Sequence, residues 1–441
     1  MKAERKTLGQ LFVPICIETL FYMLAGTVDT LMLSTVSDEA VGAVGTANTY
    51  IGMFIIMFSI ISSGMIAVMT QNIGAGRIGV AYQAKRIGTI FNLVLGIGLG
   101  VFLALGAVPI LDMVGIASGL RDSAAIYLQI VGGSCFFNAM IPIFAGYLRS
   151  FGFTKQPLIA TVISNILNLV LNMFFLMQLH MGVMGVAIAT VISKCLNLLI
   201  VMMEAKLLVH AQKDPHRVPT KEVLGQIVRI GLPSALETAL YNVAMTFVIR
   251  FLNQMDPDGV NVTARSYATQ ITHFSFCVGS ALAQANAIMT GWRIGAKEFD
   301  ECDKGTKKAA VMGIGVTVIF AVIIAFSGRI LMRLFSDDPV MIDLVCKLLF
   351  IDIILEIGRV SNLVFGQALK TSGDSIFPVI LGAVFMYLFA VGGTYLLGIR
   401  MELLVAGAYI GLTMDECVRG IGMFLRWQTG KWRRMGLIKE E

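Results

Sequence analysis

The chain has 441 residues, of which 56% are hydrophobic and only 14% are charged, against about 25% charged in soluble domains. This composition excludes an ordinary soluble domain, and apolar runs of about 20 residues recur along the whole chain. The formal net charge of +6 comes from basic residues between these runs, so it indicates membrane orientation rather than nucleic-acid binding. The seven cysteines show no C-x-x-C pairing, which favours core packing over metal ligands or disulfides.

Twelve apolar windows predict twelve transmembrane helices, since each is long enough to cross a bilayer. In chain order they are 9–34, 46–70, 87–111, 122–148, 158–178, 182–208, 226–254, 264–291, 309–335, 340–369, 376–398 and 402–427. The weakest boundary separates the fifth and sixth windows, near His180. The predicted fold class is an all-α integral membrane protein.

The basic residues alternate between the two predicted sides of the membrane. If the N-terminus lies inside, 23 of the lysines and arginines considered fall on the cytoplasmic side, against five on the other. Those five are Arg121, Arg265, Arg329, Arg333 and Arg400. The positive-inside rule therefore predicts a multi-pass protein of the inner (plasma) membrane with both termini in the cytoplasm.

The sequence contains an internal repeat. PICIETLFYMLAGTVD, which begins at Pro14, matches PSALETALYNVAMTFV, which begins 219 residues later at Pro233. LRSFGFTKQP and LKTSGDSIFP match at an offset of 221. Six spans per half predict two lobes related by a pseudo-two-fold axis along the membrane normal, an arrangement typical of transporters. The predicted divisions are an N-terminal lobe 1–208, a linker 209–225, a C-terminal lobe 226–428 and a tail 429–441.

Two carboxylates, Glu18 and Asp29, lie within the first apolar window. A charge at mid-bilayer costs about 2.5–3.5 kcal/mol on insertion scales, so each needs a partner, a water-filled cavity or a function. Eleven residues turn about 1,100°, which places both acids about 20° apart on one helical face. Tyr22 lies on the same stripe, and we assign Glu18 and Tyr22 to a substrate cavity.

The seventh window repeats this stripe with Glu237 and Tyr241, which we also assign to the cavity. It has Val248 where the first window has Asp29. The duplicated glutamates serve either as shared architecture or as cavity lining. The unduplicated Asp29 is the better candidate for ion coupling, with structural hydrogen bonding as the alternative.

Asn165, Asn168 and Asn172 in the fifth window are spaced i, i+3 and i+7, so they share one helical face. Amides inside a membrane helix need hydrogen-bond partners. One interpretation is interhelical hydrogen bonding, and the other is a polar nest around Asp29. We place all three with Asp29 in a candidate ion-coupling site.

Two further groups of ionisable residues occur in the second half. They are Asp352, Glu356 and Arg359 in the tenth window, and Asp415, Glu416 and Arg419 in the twelfth. Opposite charges at i+3 or i+4 can neutralise each other within a helix, which predicts a buried ion-pair network. The alternative is that Glu356, Arg359 and Glu237 line a transport cavity, whose excess of acid favours a cationic substrate. His273 is interpreted as a core histidine rather than a proton relay.

Several segments, in the same order along the chain, resemble the MATE (multidrug and toxic compound extrusion) family. They are P…ETLFYMLAGTVDTLML, TQNIGAGRIGVAYQA, LRSFGFTKQP, RIGLPSALE, IGAKEFDE, LFSDDP and LKTSGDSIFP. The resemblance implies a monomeric prokaryotic antiporter, not an enzyme, that exports organic cations in exchange for H⁺ or Na⁺ and needs no cofactor. It places the family's first-helix aspartate on Asp29 and its fifth-helix polar pair on Asn168 and Asn172. Pro14, Asp415 and Arg419 are assigned structural or gating roles.

The sequence departs from the family pattern at several positions. Asn172 is an amide where members of the DinF-like branch often have aspartate. The seventh-helix glutamate of the NorM-like branch falls on Tyr241, and the tenth-helix acid of that branch falls on Arg359. The resemblance is therefore nearer the DinF-like branch. A flippase for a lipid or lipid-linked precursor remains the alternative function, although it predicts additional helices and a strongly basic cavity.

Overall fold

The computed structural model describes residues 6–114, 116, 118–209, 218–255 and 259–438, and this part of the chain is helical with no β-strand. Thirteen α-helices occur in these residues. They are α1 Leu8–Ser34, α2 Asp38–Gly74, α3 Ile78–Val114, α4 Ser118–Tyr127, α5 Phe136–Ser150, α6 Lys155–Met173, α7 Gly182–Leu208, α8 Thr220–Met255, α9 Val260–Gly295, α10 Phe299–Met332, α11 Pro339–Ser372, α12 Ile376–Phe385 and α13 Leu404–Gln428.

Short π-helical segments extend three of these helices. They are Leu128–Gly132 between α4 and α5, Phe174–Gln178 after α6, and Met386–Val391 with Thr394–Arg400 after α12. Helices α4 and α5 belong to one broken rod, bent by 41°. Counted with these extensions, the described helices form twelve rods, and each of the twelve predicted windows falls on one rod. The predicted all-α membrane fold is thus confirmed.

The rods differ in how apolar they are. Within the described residues, eight helices are long and apolar enough to cross a membrane, and the bent pair of α4 and α5 makes nine. The three long helices outside this group are α9, α11 and α13, which carry Arg265, Arg359 and Arg419 among other ionisable side chains. Polar groups in a membrane helix need partners within the protein, so these three helices are one place where functional groups are expected.

Large apolar side chains cover much of the outer surface. Leu105, Met113 and Phe326 are each at least 76% exposed. In water the exposure of such side chains is unfavourable in free energy, whereas in a bilayer they contact acyl chains without this penalty. The helices satisfy their own backbone hydrogen bonds, which is the condition for crossing a bilayer.

The chain divides into two compact units, the first unit of residues 1–231 and the second unit of residues 232–441. The division falls inside α8, later in the chain than the predicted linker at 209–225. Residues 210–217 of that linker lie outside the described residues. The core of the first unit lies mainly among α2, α3, α4, α5 and α7. The core of the second unit lies among α8, α9, α10, α11 and α13.

The first part of α8 packs against α2 within the first unit. A Cβ atom at Gly64 would collide with the backbone of Ile227, and one at Gly231 would collide with the backbone of Ile60. Glycine at both positions therefore permits the two helix backbones to approach closely, as small residues do between membrane helices. This close crossing explains why the first unit extends to residue 231.

Candidate functional site

The first unit holds a polar cluster between α1 and α6. The side-chain amide of Asn172 donates to Asp29 Oδ1 at 2.7 Å and to Asn168 Oδ1 at 3.1 Å. Asn172 is fully buried and Asn168 nearly so. The structure thus brings together three of the four residues assigned to ion coupling from the sequence.

This cluster keeps one acceptor free. The Asn172 Oδ1 atom is buried and has no hydrogen-bond partner. Together with the Asp29 carboxylate it offers oxygen atoms, the ligand type that hard cations prefer. A half-buried carboxylate beside an unpaired carbonyl oxygen fits either a proton or Na⁺ as the bound ion.

Two side chains from other helices surround Asp29. Lys194 on α7 and Tyr127 on α4 both interact electrostatically with its carboxylate. The Tyr127 side chain also lies close to Asn48 and Thr190. Lys194 is not among the residues predicted from the sequence, although a lysine in the middle of a long apolar window is a signal that could have identified it.

The fourth predicted coupling residue, Asn165, is placed differently. Its side-chain amide donates to the backbone carbonyl of Phe21 at 3.0 Å, so it links α6 to the main chain of α1 and does not contact Asp29.

Two other predicted residues lie on α1. Tyr22, on the stripe between Glu18 and Asp29, is 71% exposed. Pro14 lies inside α1, where a proline leaves the carbonyl four residues earlier without its helical partner. The Thr154 hydroxyl donates to that carbonyl, on Gln10, at 3.3 Å.

The duplicated glutamates form duplicated ion pairs. Glu18 pairs with Arg149 at the end of α5, and the N–O distance is 2.6 Å. Glu237 pairs with Lys370 near the end of α11, also at 2.6 Å. The basic partners are only 18% and 13% exposed, so these residues, interpreted from the sequence as loop charges, belong to the interior of each unit.

The second unit contains a cavity of about 470 Å³ between α8, α9, α11, α12 and α13. A volume of this size is typical of small-molecule sites. Six charged side chains line it: Arg265, Arg359, Lys370, Arg419, Glu237 and Glu416. Four cations therefore face two acids. The predicted cavity residues Glu237, Tyr241 and Arg359 belong to this lining, whereas Glu356 lies fully buried behind it.

The ionisable residues of α11 and α13 pair as helical spacing predicts. Arg359 pairs with Glu356, three residues earlier. Arg419 makes two hydrogen bonds to Asp415, at 2.8 and 2.6 Å, and a longer contact of 3.1 Å to Glu416. The network is largely buried, and three of its members, Arg359, Glu416 and Arg419, also line the cavity, so it combines features of both interpretations.

Arg265 on α9 differs from the other cations of the lining. Its guanidinium Nη2 contacts the sulfur of Met245 at 3.5 Å, and its Nε is buried without a hydrogen-bond partner. His273, also on α9, lines the cavity and packs against Phe276 with ring centroids 5.4 Å apart. From the sequence, Arg265 is grouped with the loop charges on the outer side, and so it is not predicted to be a site residue.

A family model described as MatE matches residues 14–174 and 233–396. The chain belongs to the MatE family of membrane transporters. The two matched segments begin 219 residues apart, the offset at which the sequence repeats itself. This family comprises transporters rather than enzymes, as the sequence predicted, and the chain is therefore a multi-pass membrane protein.

Individual MATE relatives support this assignment. The uncharacterized transporter YisQ of Bacillus subtilis is 34% identical over 432 residues, with 96% of this chain and 94% of the relative aligned. The DNA damage-inducible protein F of Escherichia coli is 29% identical over 219 residues, with 47% of this chain and 46% of the relative aligned. The fold matches an outward-facing multidrug resistance MATE transporter of the MOP superfamily with a TM-score of 0.89 at 20% identity, covering 98% of this chain and 96% of that one.

Proposed function

We propose that this protein is a secondary antiporter that exports small organic compounds by alternating access, in exchange for H⁺ or Na⁺. The observation that carries the proposal is the cluster in the first unit that joins the half-buried Asp29 to the buried Asn172 and Asn168. An ionisable group inside a membrane protein is costly to keep unless it binds an ion or pairs with another charge. Asp29 forms no close ion pair with any described residue, so it has the properties of a reversible cation site.

The proposed coupling depends on the charge of Asp29. When a cation occupies the site, the Asp29 carboxylate is neutralised, and the conformation that favours substrate release gains stability. Asn172 orients the carboxylate through its amide, and its free Oδ1 supplies a further oxygen. Lys194 moderates the negative potential at the site, so that the cation can leave again on the opposite side.

The membrane supplies enough energy for this exchange. Moving one elementary charge through 100 mV provides about 2.3 kcal/mol. Since 1.4 kcal/mol corresponds to a factor of ten, one coupled charge supports roughly fifty-fold accumulation. We further propose an inner-membrane location, cytoplasmic termini and a monomeric state, which the distribution of basic residues and the family resemblance support.

The test is efflux of a fluorescent organic compound from proteoliposomes under an imposed H⁺ gradient or an imposed Na⁺ gradient. Wild type is compared with Asp29→Asn, which keeps the side-chain shape but removes the charge. The matched control is Asp122→Asn, because that acid of the same unit is 93% exposed. We expect one gradient to drive efflux in wild type and the control but not in Asp29→Asn. Normal gradient-driven efflux by Asp29→Asn would overturn the proposal.

A further inference from the structure

The cavity of the second unit changes in electrostatic character along its length. At one end, Glu237 is neutralised by Lys370. Near its middle, Glu416 is held by Arg419, and Arg359 by the buried Glu356. Every acid that lines the cavity therefore already has a basic partner.

The opposite end of the cavity is cationic. Arg265 lies close to the start of α9, and the cavity residues near it are Met245, Thr269 and Tyr409. None of these neighbours carries a negative charge at neutral pH. The Tyr409 side chain lies close to Thr269 and interacts electrostatically with Arg265. Asp352 also lies near Tyr409, but it is buried and outside the lining.

The guanidinium of Arg265 has donors to spare. An arginine carries five N–H donors in a fork that matches the two oxygens of a carboxylate or phosphate. The described partner of Arg265 is a thioether sulfur, a weak acceptor, and its Nε has none. Inside a membrane protein such a group needs a partner or a water-filled cavity, and an oxyanion in the cavity is the partner that matches its donors best.

The same lining also provides an apolar surface. Met245, Phe276, Leu355 and Leu412 face the cavity together with the polar groups. On α9, Arg265 and Phe276 are eleven residues apart, or about 16 Å along the helix axis. A ligand that reaches both side chains combines an oxyanion at one end with an apolar or aromatic body.

We infer that this cavity binds an amphipathic organic anion, whose oxyanion contacts Arg265 and whose apolar body lies along α9 towards Phe276. This inference rests on the proposed transport function and specifies its substrate class. It replaces the cationic substrate that the excess of acids in the sequence favoured, because those acids are paired or buried behind the lining.

The test measures binding to the purified full-length protein in an uncharged detergent by fluorescence polarisation. The probes are two xanthene dyes, fluorescein, which is anionic, and rhodamine 123, which is cationic. The variants are Arg265→Gln and Arg265→Lys. The matched control is Arg333→Gln, which removes an exposed arginine of the same unit outside the cavity lining.

We expect Arg265→Gln to weaken fluorescein binding roughly tenfold, since a hydrogen bond between charged groups is lost. Arg265→Lys should recover part of that affinity, and Arg333→Gln should match wild type. Rhodamine 123 should bind Arg265→Gln at least as well as wild type, because a repelling charge is gone. Unchanged fluorescein affinity in a variant with wild-type thermal stability, or an equal loss for both dyes, would overturn the inference.

A phospholipid headgroup presents the same oxyanion chemistry as a free organic acid. Competition with octanoate and with phosphatidylglycerol in the micelles distinguishes the two sources. Displacement by octanoate assigns a soluble organic acid, and displacement by phosphatidylglycerol alone assigns a lipid. Failure of both competitors would overturn the inference. No ion gradient is used, so the outcome does not depend on whether Asp29 couples transport.

Discussion

The two units share a scaffold but differ in their interior chemistry. Both have an ion pair from a glutamate on their first helix, Glu18 with Arg149 and Glu237 with Lys370. Both also anchor that helix through a main-chain carbonyl. Asn165 donates to Phe21 O at 3.0 Å in the first unit, and Tyr387 donates to Leu240 O at 3.3 Å in the second. These shared contacts hold the first helix of each unit in place.

The differences lie at equivalent positions deeper in each unit. Val248 replaces Asp29 at the repeat offset of 219. Cys135 and Asn138 of the first unit correspond to Glu356 and Arg359 of the second at an offset of 221. Duplication thus preserved the architecture, while one interior acquired a carboxylate held by amides and the other an ion-paired cavity.

The α7–α13 pair shows the same divergence. At an offset of 222, Lys194 and Asn197 of the first unit correspond to Glu416 and Arg419 of the second. Asn197 makes a neutral hydrogen bond to Ser164 Oγ at 3.0 Å, whereas Arg419 holds two carboxylates. The charge at the first of these positions is thus reversed between the units.

The largest loss of folding free energy is expected when Arg419 is replaced. Arg419→Met leaves Asp415 and Glu416 buried without their cation, which costs about 3–5 kcal/mol of folding free energy. The equivalent change in the first unit, Asn197→Leu, removes only a neutral hydrogen bond and should cost about 1 kcal/mol. Unfolding of the purified proteins in detergent measures both values.

A charge-matched variant controls for the packing of Arg419. The triple variant Asp415→Asn, Glu416→Gln, Arg419→Met has no buried charge at this position, so it should recover much of the lost stability. Equal destabilisation by Arg419→Met and Asn197→Leu would show that the charge difference between the units does not affect the free energy of unfolding.

The next largest effect concerns the two amides on α6. Asn172 bonds the Asp29 carboxylate, and hydrogen bonds to charged groups contribute about 1.5–3 kcal/mol. Asn172→Ala should therefore reduce gradient-driven efflux by about tenfold. Asn165→Ala removes a bond to a main-chain carbonyl, and its effect on efflux should be several-fold smaller. Proteoliposome efflux rates decide between the two, and a reversed order would contradict the assignment of Asn165 to the scaffold.

The smallest loss of stability is expected for the duplicated ion pairs, and it should be the same in both units. Glu18→Gln and Glu237→Gln each remove one partner of a largely buried ion pair at the same distance. Because these pairs keep some solvent access, we expect each variant to lose about 1 kcal/mol of stability. Thermal unfolding measures both losses. If one variant lost several times more stability than the other, the two ion pairs would not be equivalent.

Much of the fold was predictable because a bilayer permits little else. Every backbone polar group must be satisfied within the segment, so long apolar runs can only be helices. The intrahelical pairs of Arg359 and Arg419 followed from spacing alone. The repeat was visible because residues such as Pro14 and Pro233 recur at a fixed offset.

The long-range contacts could not be predicted in this way. Arg149 and Lys370 looked like loop charges, since nothing local shows that they reach glutamates more than 100 residues away. Arg265 also resembled a loop residue, because its place in a cavity depends on five helices. Lys194 was overlooked because the apolar residues around it dominate its window.

The two proposed transport movements transfer charge in the same direction across the membrane. Export of an organic anion and entry of a coupling cation both move positive charge inwards. Each charge gains about 2.3 kcal/mol per 100 mV, so an inside-negative potential drives both movements. Export of a cation in exchange for a single cation would gain nothing from the potential.

The central claim is that the first unit couples the ion and the second recognises the substrate. The most direct test is the dependence of gradient-driven fluorescein efflux on dye concentration, for Asp29→Asn and Arg265→Gln in proteoliposomes. We expect Asp29→Asn to lower the maximal rate of efflux and to leave the half-saturating dye concentration at its wild-type value. We expect Arg265→Gln to raise the half-saturating concentration about tenfold and to retain the maximal rate. If both variants change the same parameter, the two functions are not divided between the units.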